Sequence, residues 1–203
     1  EKCVAWISRG DRNPPPDGAP QHLMWYQLDP ALYETLDIFG TSYPIVLVKI
    51  EEIPKWAPSD GLPQGCSLLV AFQDPENVGA VIRSATAFGV AGIIMLAEAA
   101  NPYHPKSVRA SGGVVFRANL LQGPSIHHLP EDLPIVPLSK EGKRISDFKF
   151  PAKFALLPGI EGPGLPDRFR KAGVSIPISP EVESLNAVAA TAIALFVWAG
   201  SQD

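Results

Sequence analysis

Cysteine, positive charge and long apolar runs are all scarce in this sequence of 203 residues. The two cysteines, Cys3 and Cys66, have neither metal-ligand nor redox spacing, so we expect no metal site and a reduced, cytoplasmic protein. No apolar stretch is long enough to cross a bilayer without interruption, and no membrane association is expected. The formal net charge of −4 excludes a generally basic surface, so any nucleic acid must bind a local patch. The start at Glu1 is neither a signal peptide nor an initiator methionine, so we expect a fragment or a processed form of a longer protein.

What the sequence does contain, from about Ser67 onward, is an alternation of strand and helix patterns. Short apolar runs predict buried strands at residues 67–72, 93–96, 114–118, 135–138 and 154–157. The pattern predicts an α/β fold with a mostly parallel sheet flanked by helices. A stretch rich in proline and glycine at 58–65 divides the chain into an N-terminal extension, 1–63, and a main domain, 64–203.

The N-terminal extension contains an irregular proline-rich loop and two ordered elements. Asp29 followed by Pro30 is a helix start, and residues 30–36 are predicted as a short helix. Residues 45–50 have strand composition. The segment is either an extension packed on the main domain or part of a substrate-recognition domain.

The stretch from Asp74 to Gly89 is the first of three segments that carry chemistry. A strand ends at Asp74-Pro75, and apolar residues then recur at helical spacing until Gly89 stops the helix. Ligand sites in open α/β sheets gather at the carboxyl ends of strands. Asn77 and an inward-facing Arg83 are therefore candidate site residues.

The second segment is a glycine-rich loop at 156–165, and the third leads from residues 175–178 into a helix that begins near Asn186. The loop either cradles a nucleoside, with Glu161 orienting a donor, or is a tight turn with an exposed glutamate. Ser184 or Asn186 is expected to cap the last helix, whose start also favours an anion such as a ribose phosphate. Residues 188–198 are apolar all round, which predicts burial in the core or against a second copy.

Taken in order, the three segments resemble the three motifs of the SpoU-type (TrmH-type) RNA ribose 2'-O-methyltransferases of the SPOUT superfamily, over residues 67–198. The resemblance implies a C-terminal deep trefoil knot, a homodimer, S-adenosylmethionine as the cofactor and a transfer or ribosomal RNA substrate. It implies these catalytic residues: Asn77, Arg83, Glu161, Ser184 and Asn186. It implies these cofactor contacts: Leu157, Gly159, Gly162, Ile178, Leu185 and Asn186.

Methyl transfer to a hydroxyl is an in-line displacement in which the attacking oxygen loses its proton. A guanidinium stays protonated in proteins, so Arg83 is expected to anchor a phosphate and stabilise alkoxide charge rather than act as a base. Two basic groups are candidate RNA contacts or simply solvated surface. They are Lys140, Lys143 and Arg144 in one group and Arg109 and Arg117 in the other.

Two other functions remain open from the sequence. Ala187-Val188 stands where the family often has Val-Ser; this change and the low positive charge favour a catalytically degenerate dimer that binds RNA or protein. The alternation of strands and helices is also typical of a dinucleotide-dependent oxidoreductase, but no Gly-x-Gly-x-x-Gly motif follows the first strand. Pro158 and Gly113 also replace the leucine and the alanine usual in the family, and these three departures bear on activity more than on fold.

Overall fold

The computed structural model describes residues 3–160, 164–170 and 172–201, and the chain separates into two compact units, Glu1–Glu52 and Ile53–Asp203. The first unit has a three-stranded sheet with helix α1 (Pro30–Leu36). Its strands, in the order β2-β1-β3, are β1 (Cys3–Arg9), β2 (Met24–Leu28) and β3 (Ile45–Val48). The predicted start of α1 is confirmed, because the Asp29 carboxylate accepts a hydrogen bond from the Ala31 N–H at 2.9 Å.

The second unit is built on a six-stranded sheet in which every ladder is parallel, which confirms the predicted α/β fold. Its order is β6-β5-β4-β8-β7-β9. The strands are β4 (Gly65–Val70), β5 (Gly92–Met95), β6 (Leu120–Gln122), β7 (Ile135–Arg144), β8 (Lys153–Leu157) and β9 (Val174–Ser175). Because they are parallel, all six end at one edge, the carboxyl edge.

Both faces of this sheet are buried, which is why its strands read as continuous apolar runs. On one face Leu68 and Val70 pack with helices α2 (Pro75–Ala87) and α5 (Ala187–Ala199). On the other face Leu69 packs in a second cluster with Leu165 and with Phe169 of the short helix α4 (Asp167–Arg170). No helix of the described residues is both long and apolar enough to span a membrane.

Helix α2 begins where the sequence predicts a site. Asp74 caps it by accepting from the Glu76 N–H at 2.9 Å, and Pro75 occupies the first turn. Gly79 lies against helix α3 (Pro105–Ala110), so closely that a Cβ at Gly79 would come 2.1 Å from the Ser107 carbonyl oxygen. The glycine is required by packing between the two helices.

One predicted strand is wrong. Within residues 114–118 the chain forms a 3-10 helix, Val114–Phe116, preceded by Gly113 in the left-handed conformation with φ of 78°. Val115 is buried in the core, which accounts for the apolar composition without a strand. The chain enters the sheet only afterwards, at β6, where no strand was predicted.

Two glycines mark a close crossing of main chains between β7 and β9. A Cβ on Gly173 would come 2.1 Å from the Pro137 carbonyl oxygen, and one on Gly142 would come 2.8 Å from the Gly173 carbonyl carbon. Between Leu138 and Lys143 the register of β7 against β9 shifts, so residues 139–142 leave the ladder at this crossing. The trefoil knot implied by the resemblance stays a prediction.

The first residues of the second unit lie along the outer strand β6. The Gln122 N–H donates to the Pro54 carbonyl at 2.8 Å, and the Trp56 N–H donates to the Gln122 carbonyl at 2.9 Å. The Trp56 ring is buried in the second cluster. The compact units therefore divide between Glu52 and Ile53, whereas the functional division at residue 63 stays a prediction.

Candidate active site

A cleft of about 790 Å³ opens at the carboxyl edge of the second unit, where strands β7, β8 and β9 end. Its size is in the range of small-molecule sites. Three segments and the start of α5 form its walls. The lining residues are Leu138, Ser139, Lys140, Glu141, Gly159, Ile160, Gly164, Leu165, Arg170, Val174, Ile176, Ile178, Glu183, Ser184, Leu185, Asn186, Ala187 and Ala190.

Four of the six predicted cofactor contacts line this cleft: Gly159, Ile178, Leu185 and Asn186. Among the residues that the structure describes, a Cβ at Gly159 would meet nothing nearer than the Leu138 carbonyl oxygen at 3.9 Å. The Leu157 side chain is buried in the second cluster, which leaves only its main chain for the predicted contact. Glu161 and Gly162 lie outside the described residues.

The start of α5 forms one wall, and Asn186 is its cap as predicted. The Asn186 side-chain oxygen accepts from the Val188 and Ala189 N–H groups at 2.9 and 3.2 Å. Two of the free N–H groups that would attract an anion are therefore already satisfied by the cap. Ser184 is exposed at the cleft, and its contact with a ribose phosphate stays a prediction.

Charged side chains of both signs stand at the cleft. Lys140 approaches Glu183 to 4.0 Å between Nζ and Oε1. Arg170 donates from Nε to the Leu165 carbonyl at 2.9 Å, and its Nη1 lies 3.3 Å from an Asp167 carboxylate oxygen. Lys140, predicted as an RNA contact, thus belongs to the cleft wall.

Asn77 and Arg83 do not line the cleft. Asn77 lies in the first turn of α2, at the same carboxyl edge, because β4 pairs in parallel with β8. Arg83 is the ninth residue of α2 and is exposed, so the expectation that it faces inwards is wrong for the single chain. Its guanidinium lies beside Gly112, where an added Cβ would be 3.7 Å from Nη1.

The other predicted RNA contacts are exposed in two places. Arg109 in α3 and Arg117 after the 3-10 helix lie on elements that pack against α2, the helix of Arg83. Lys143 and Arg144 end β7, outside the cleft. Within the described residues no group of three or more His, Cys, Asp or Glu side chains is placed to hold a metal ion.

Sequence reasoning missed the wall formed by the end of β7 and by α4. Leu138, Ser139 and Arg170 all line the cleft, yet none belongs to the three segments chosen from the sequence. The Ser139 hydroxyl donates to the Arg170 carbonyl and so joins the two parts of this wall. The signal was available, because β7 was predicted as a buried strand and its carboxyl end must lie at the ligand-binding edge.

Comparison with known proteins agrees with this architecture. Residues 67–196 match the model of the SpoU rRNA Methylase family. The crystal structure of the SpoU methyltransferase AviRb from Streptomyces viridochromogenes, in complex with AdoMet, superposes with a TM-score of 0.73 at 23% identity, covering 98% of this chain and 83% of that one. An AdoMet-bound rRNA methyltransferase from Sinorhizobium meliloti gives 0.74 at 22% identity, covering 99% and 80%. At this identity the structures support the fold.

Two sequence relatives show how much of a longer protein this chain represents. It is 59% identical over 201 residues to a Syntrophobacter fumaroxidans protein named ribosomal RNA small subunit methyltransferase G 2, covering 99% of this chain but 40% of the relative. It is 37% identical over 134 residues to a 23S rRNA (uridine(2479)-2'-O)-methyltransferase of Streptomyces viridochromogenes, covering 59% of this chain and 47% of that protein. The chain thus spans less than half of either relative. Its match to the family model, however, runs through all three motifs and through most of the second unit, and the chain belongs to the SpoU rRNA methylase family.

Proposed function

We propose that this chain is an S-adenosylmethionine-dependent RNA methyltransferase that acts on a ribose 2'-hydroxyl. The observation that carries the proposal is the cleft, which brings together Gly159 from the second motif and Ile178, Leu185 and Asn186 from the third. A family relative is named as a 2'-O-methyltransferase, and AdoMet-bound proteins share the fold. The name of the Syntrophobacter relative describes a protein more than twice as long and is not carried over.

In the proposed reaction Gly159, Ile178, Leu185 and Asn186 would hold S-adenosylmethionine in the cleft. S-adenosylmethionine supplies the methyl group as a sulfonium. Aligning donor and acceptor can contribute about 7–11 kcal/mol of the barrier, and the proton that the 2'-hydroxyl loses on attack would pass to solvent water. Arg83 would hold the phosphate beside the target ribose and stabilise negative charge on the attacking oxygen.

Arg83 is exposed and lies outside the cleft of its own chain. Its proposed role therefore favours a homodimer in which the Arg83 of a second copy reaches the cleft of the first. Helix α5 supports such an assembly, because it is apolar all round yet leaves Phe196 67% exposed and Ile193 39% exposed. Phe196 stands in an edge-to-face contact with Phe88, with ring centroids 6.3 Å apart. Together they form an apolar surface at the end of α2, the helix that carries Arg83.

RNA would contact the exposed basic residues Arg109, Arg117, Lys143 and Arg144, with Lys140 at the mouth of the cleft. Charge is divided unevenly between the two units. Residues 1–52 carry four Lys or Arg and eight Asp or Glu, whereas the second unit has as many basic as acidic residues. The acidic excess in the first unit argues against that unit as the principal phosphate-binding surface.

The first experiment is calorimetric titration of S-adenosylmethionine into the intact protein and into two matched variants. Ile178 lines the cleft, and Val182 lies on the same segment outside it with its side chain exposed. We expect Ile178→Trp to abolish saturable binding by filling the cleft and Val182→Trp to leave it unchanged. Equal binding by all three proteins would place the cofactor elsewhere.

The second experiment identifies the product. RNA pools are incubated with the protein and methyl-labelled cofactor, and the product is hydrolysed with alkali. Ribose 2'-O-methylation blocks cleavage at that position, so label should appear in an alkali-resistant dinucleotide and should disappear with Arg83→Ala. Label in a mononucleotide would indicate base methylation instead. Cofactor binding without transfer to any RNA would favour the degenerate module, consistent with Ala187-Val188 in the third motif.

A further inference from the structure

Helix α4 is too short to be stable by itself, yet it supports one wall of the cleft. It comprises only the four residues Asp167–Arg170, and an isolated helix of this length does not persist in water. Its last residue, Arg170, lines the cleft, and so do Gly164 and Leu165, which precede the helix in sequence. The position of this wall therefore depends on whatever fixes α4 from outside.

The contacts beneath α4 are apolar, and one contact at its side is charged. Leu165 and Phe169 are buried in the second cluster. Arg168 donates from Nη2 to the Ile126 carbonyl at 2.8 Å, with its guanidinium carbon 4.5 Å from the centroid of the Phe169 ring. Apolar burial alone permits sliding, whereas this directional hydrogen bond, together with the one from the Ser139 hydroxyl to the Arg170 carbonyl, sets where α4 lies along the sheet.

Ile126 is itself held from its other side by a carboxylate. Its N–H donates to both oxygens of Glu98, at 3.2 and 3.1 Å, and the Ser125 hydroxyl also donates to Glu98. Burial by itself raises the pKa of Glu98, but the hydrogen bonds from Ser125 and the Ile126 N–H outweigh it and hold that pKa below its usual value. The carboxylate is therefore charged at neutral pH.

Glu98, Ile126 and Arg168 thus form a continuous link across three strand ends. Glu98 follows β5, Ile126 follows β6 and Arg168 follows β8. Neither Glu98 nor Arg168 lines the cleft, so neither can act on a bound ligand by contact. We propose that Glu98 and Arg168 are positioning residues for the cofactor cleft, acting through the Ile126 main chain to fix α4 and the wall it carries. This inference rests on the proposed function for the identity of the ligand.

The test compares Arg168→Ala and Glu98→Ala with the conservative variants Arg168→Lys and Glu98→Gln. Two readouts are used, the dissociation constant for S-adenosylmethionine and amide hydrogen exchange of residues 164–170 without cofactor. We expect Arg168→Ala to bind about tenfold more weakly, the equivalent of one charge-assisted hydrogen bond, and to exchange faster in this segment alone. Glu98→Ala should have the same two effects to a smaller extent, because Glu98 acts on α4 only through Ile126 and Arg168.

The conservative variants and a control separate positioning from general loss of stability. Arg168→Lys and Glu98→Gln each keep one hydrogen-bonding atom and should recover part of the affinity. Glu131→Ala removes an exposed carboxylate from the same loop region and should change neither readout. The double variant Glu98→Ala/Arg168→Ala should lose less than the product of the two single losses, because both act on one link.

Several results would overturn the inference. Unchanged exchange of residues 164–170 in Arg168→Ala would show that the link does not fix α4. Faster exchange throughout the second unit would show a general stabilising role, and fully independent losses in the double variant would show that the two residues act separately. If the unaltered protein fails to bind S-adenosylmethionine, the proposed function fails, whereas the exchange readout still decides whether Glu98 and Arg168 position this wall.

Discussion

Replacing Gly79 by alanine tests whether the glycine of the first motif is required by packing. The added Cβ would lie 2.1 Å from the Ser107 carbonyl oxygen, 2.8 Å from its carbonyl carbon and 2.9 Å from the Ala110 Cβ. The nearest obstacle is main chain, which no rotamer change can move, so α2 and α3 must separate. Overpacking of this kind costs up to about 3 kcal/mol, and the higher helix propensity of alanine returns about 1.

The expected net loss is therefore about 2 kcal/mol, which lowers Tm by about 4–8 °C in a protein of this size. Thermal and urea unfolding followed by circular dichroism measure it. Gly200→Ala is the matched control, because that glycine has φ of −68° and, within the described part of the chain, an added Cβ would approach nothing nearer than the Phe196 carbonyl oxygen at 3.5 Å. We expect it to be neutral or slightly stabilising.

A second variant separates the two obstacles at Gly79. Adding Ala110→Gly to Gly79→Ala removes the methyl group at 2.9 Å and leaves the Ser107 carbonyl in place. Stability should remain low in the double variant. A Gly79→Ala protein as stable as the unaltered chain, or full recovery with Ala110→Gly, would refute the argument that the α3 main chain demands glycine.

Three other outcomes are expected. Asn186→Ala should lower the free energy of unfolding by about 1 kcal/mol, measured in urea, because the cap of α5 is lost, whereas Asn186→Asp should keep most of that stability. Equal losses in the two variants would contradict the capping role. Burial raises the pKa of the Cys66 thiol to about 12, so the free energy of unfolding should not depend on this thiol below about pH 9 and should fall as pH rises from 9 toward 12. Cys66→Ala should lack this fall. Phe196→Asp should convert a dimer to a monomer in light scattering, and a dimer that persists would exclude the exposed face of α5 as its interface.

The fold of the second unit could be predicted because its local signals agree with one another. Asp74 and Asn186 are of residue types that favour helix starts, and both cap the helices that follow. Buried parallel strands such as β5 and β8 need no alternation and appear as short apolar runs. Val114–Phe116 has the same composition, but the left-handed Gly113 and the burial of Val115 override it, and neither is visible in the residues alone.

The site was predicted where the chain presents a motif and missed where contacts come from distant segments. Gly159 and Ile178 follow from motifs, and both line the cleft. Ser139 and Arg170 meet only because β7 lies beside β8 and α4 folds back onto it, which depends on strand order. The position of Arg83 on the exposed side of α2 was missed because apolar spacing marks a buried face but does not assign the residues at its border.

The crossing of β7 and β9 has a consequence for how far this sequence can vary. Pro137, Gly142 and Gly173 meet through main-chain atoms, so any side chain at either glycine collides whatever its chemistry. Between them Ser139, Lys140 and Glu141 leave the ladder and face the cleft. A saturation library over 137–142 should therefore show near-total intolerance at Gly142 and broad tolerance at Lys140 and Glu141, whose side chains are exposed. The fixed crossing thus holds a short exposed segment at the wall of the cleft, and substitutions there can change the chemistry of that wall while the strand order of the sheet stays the same.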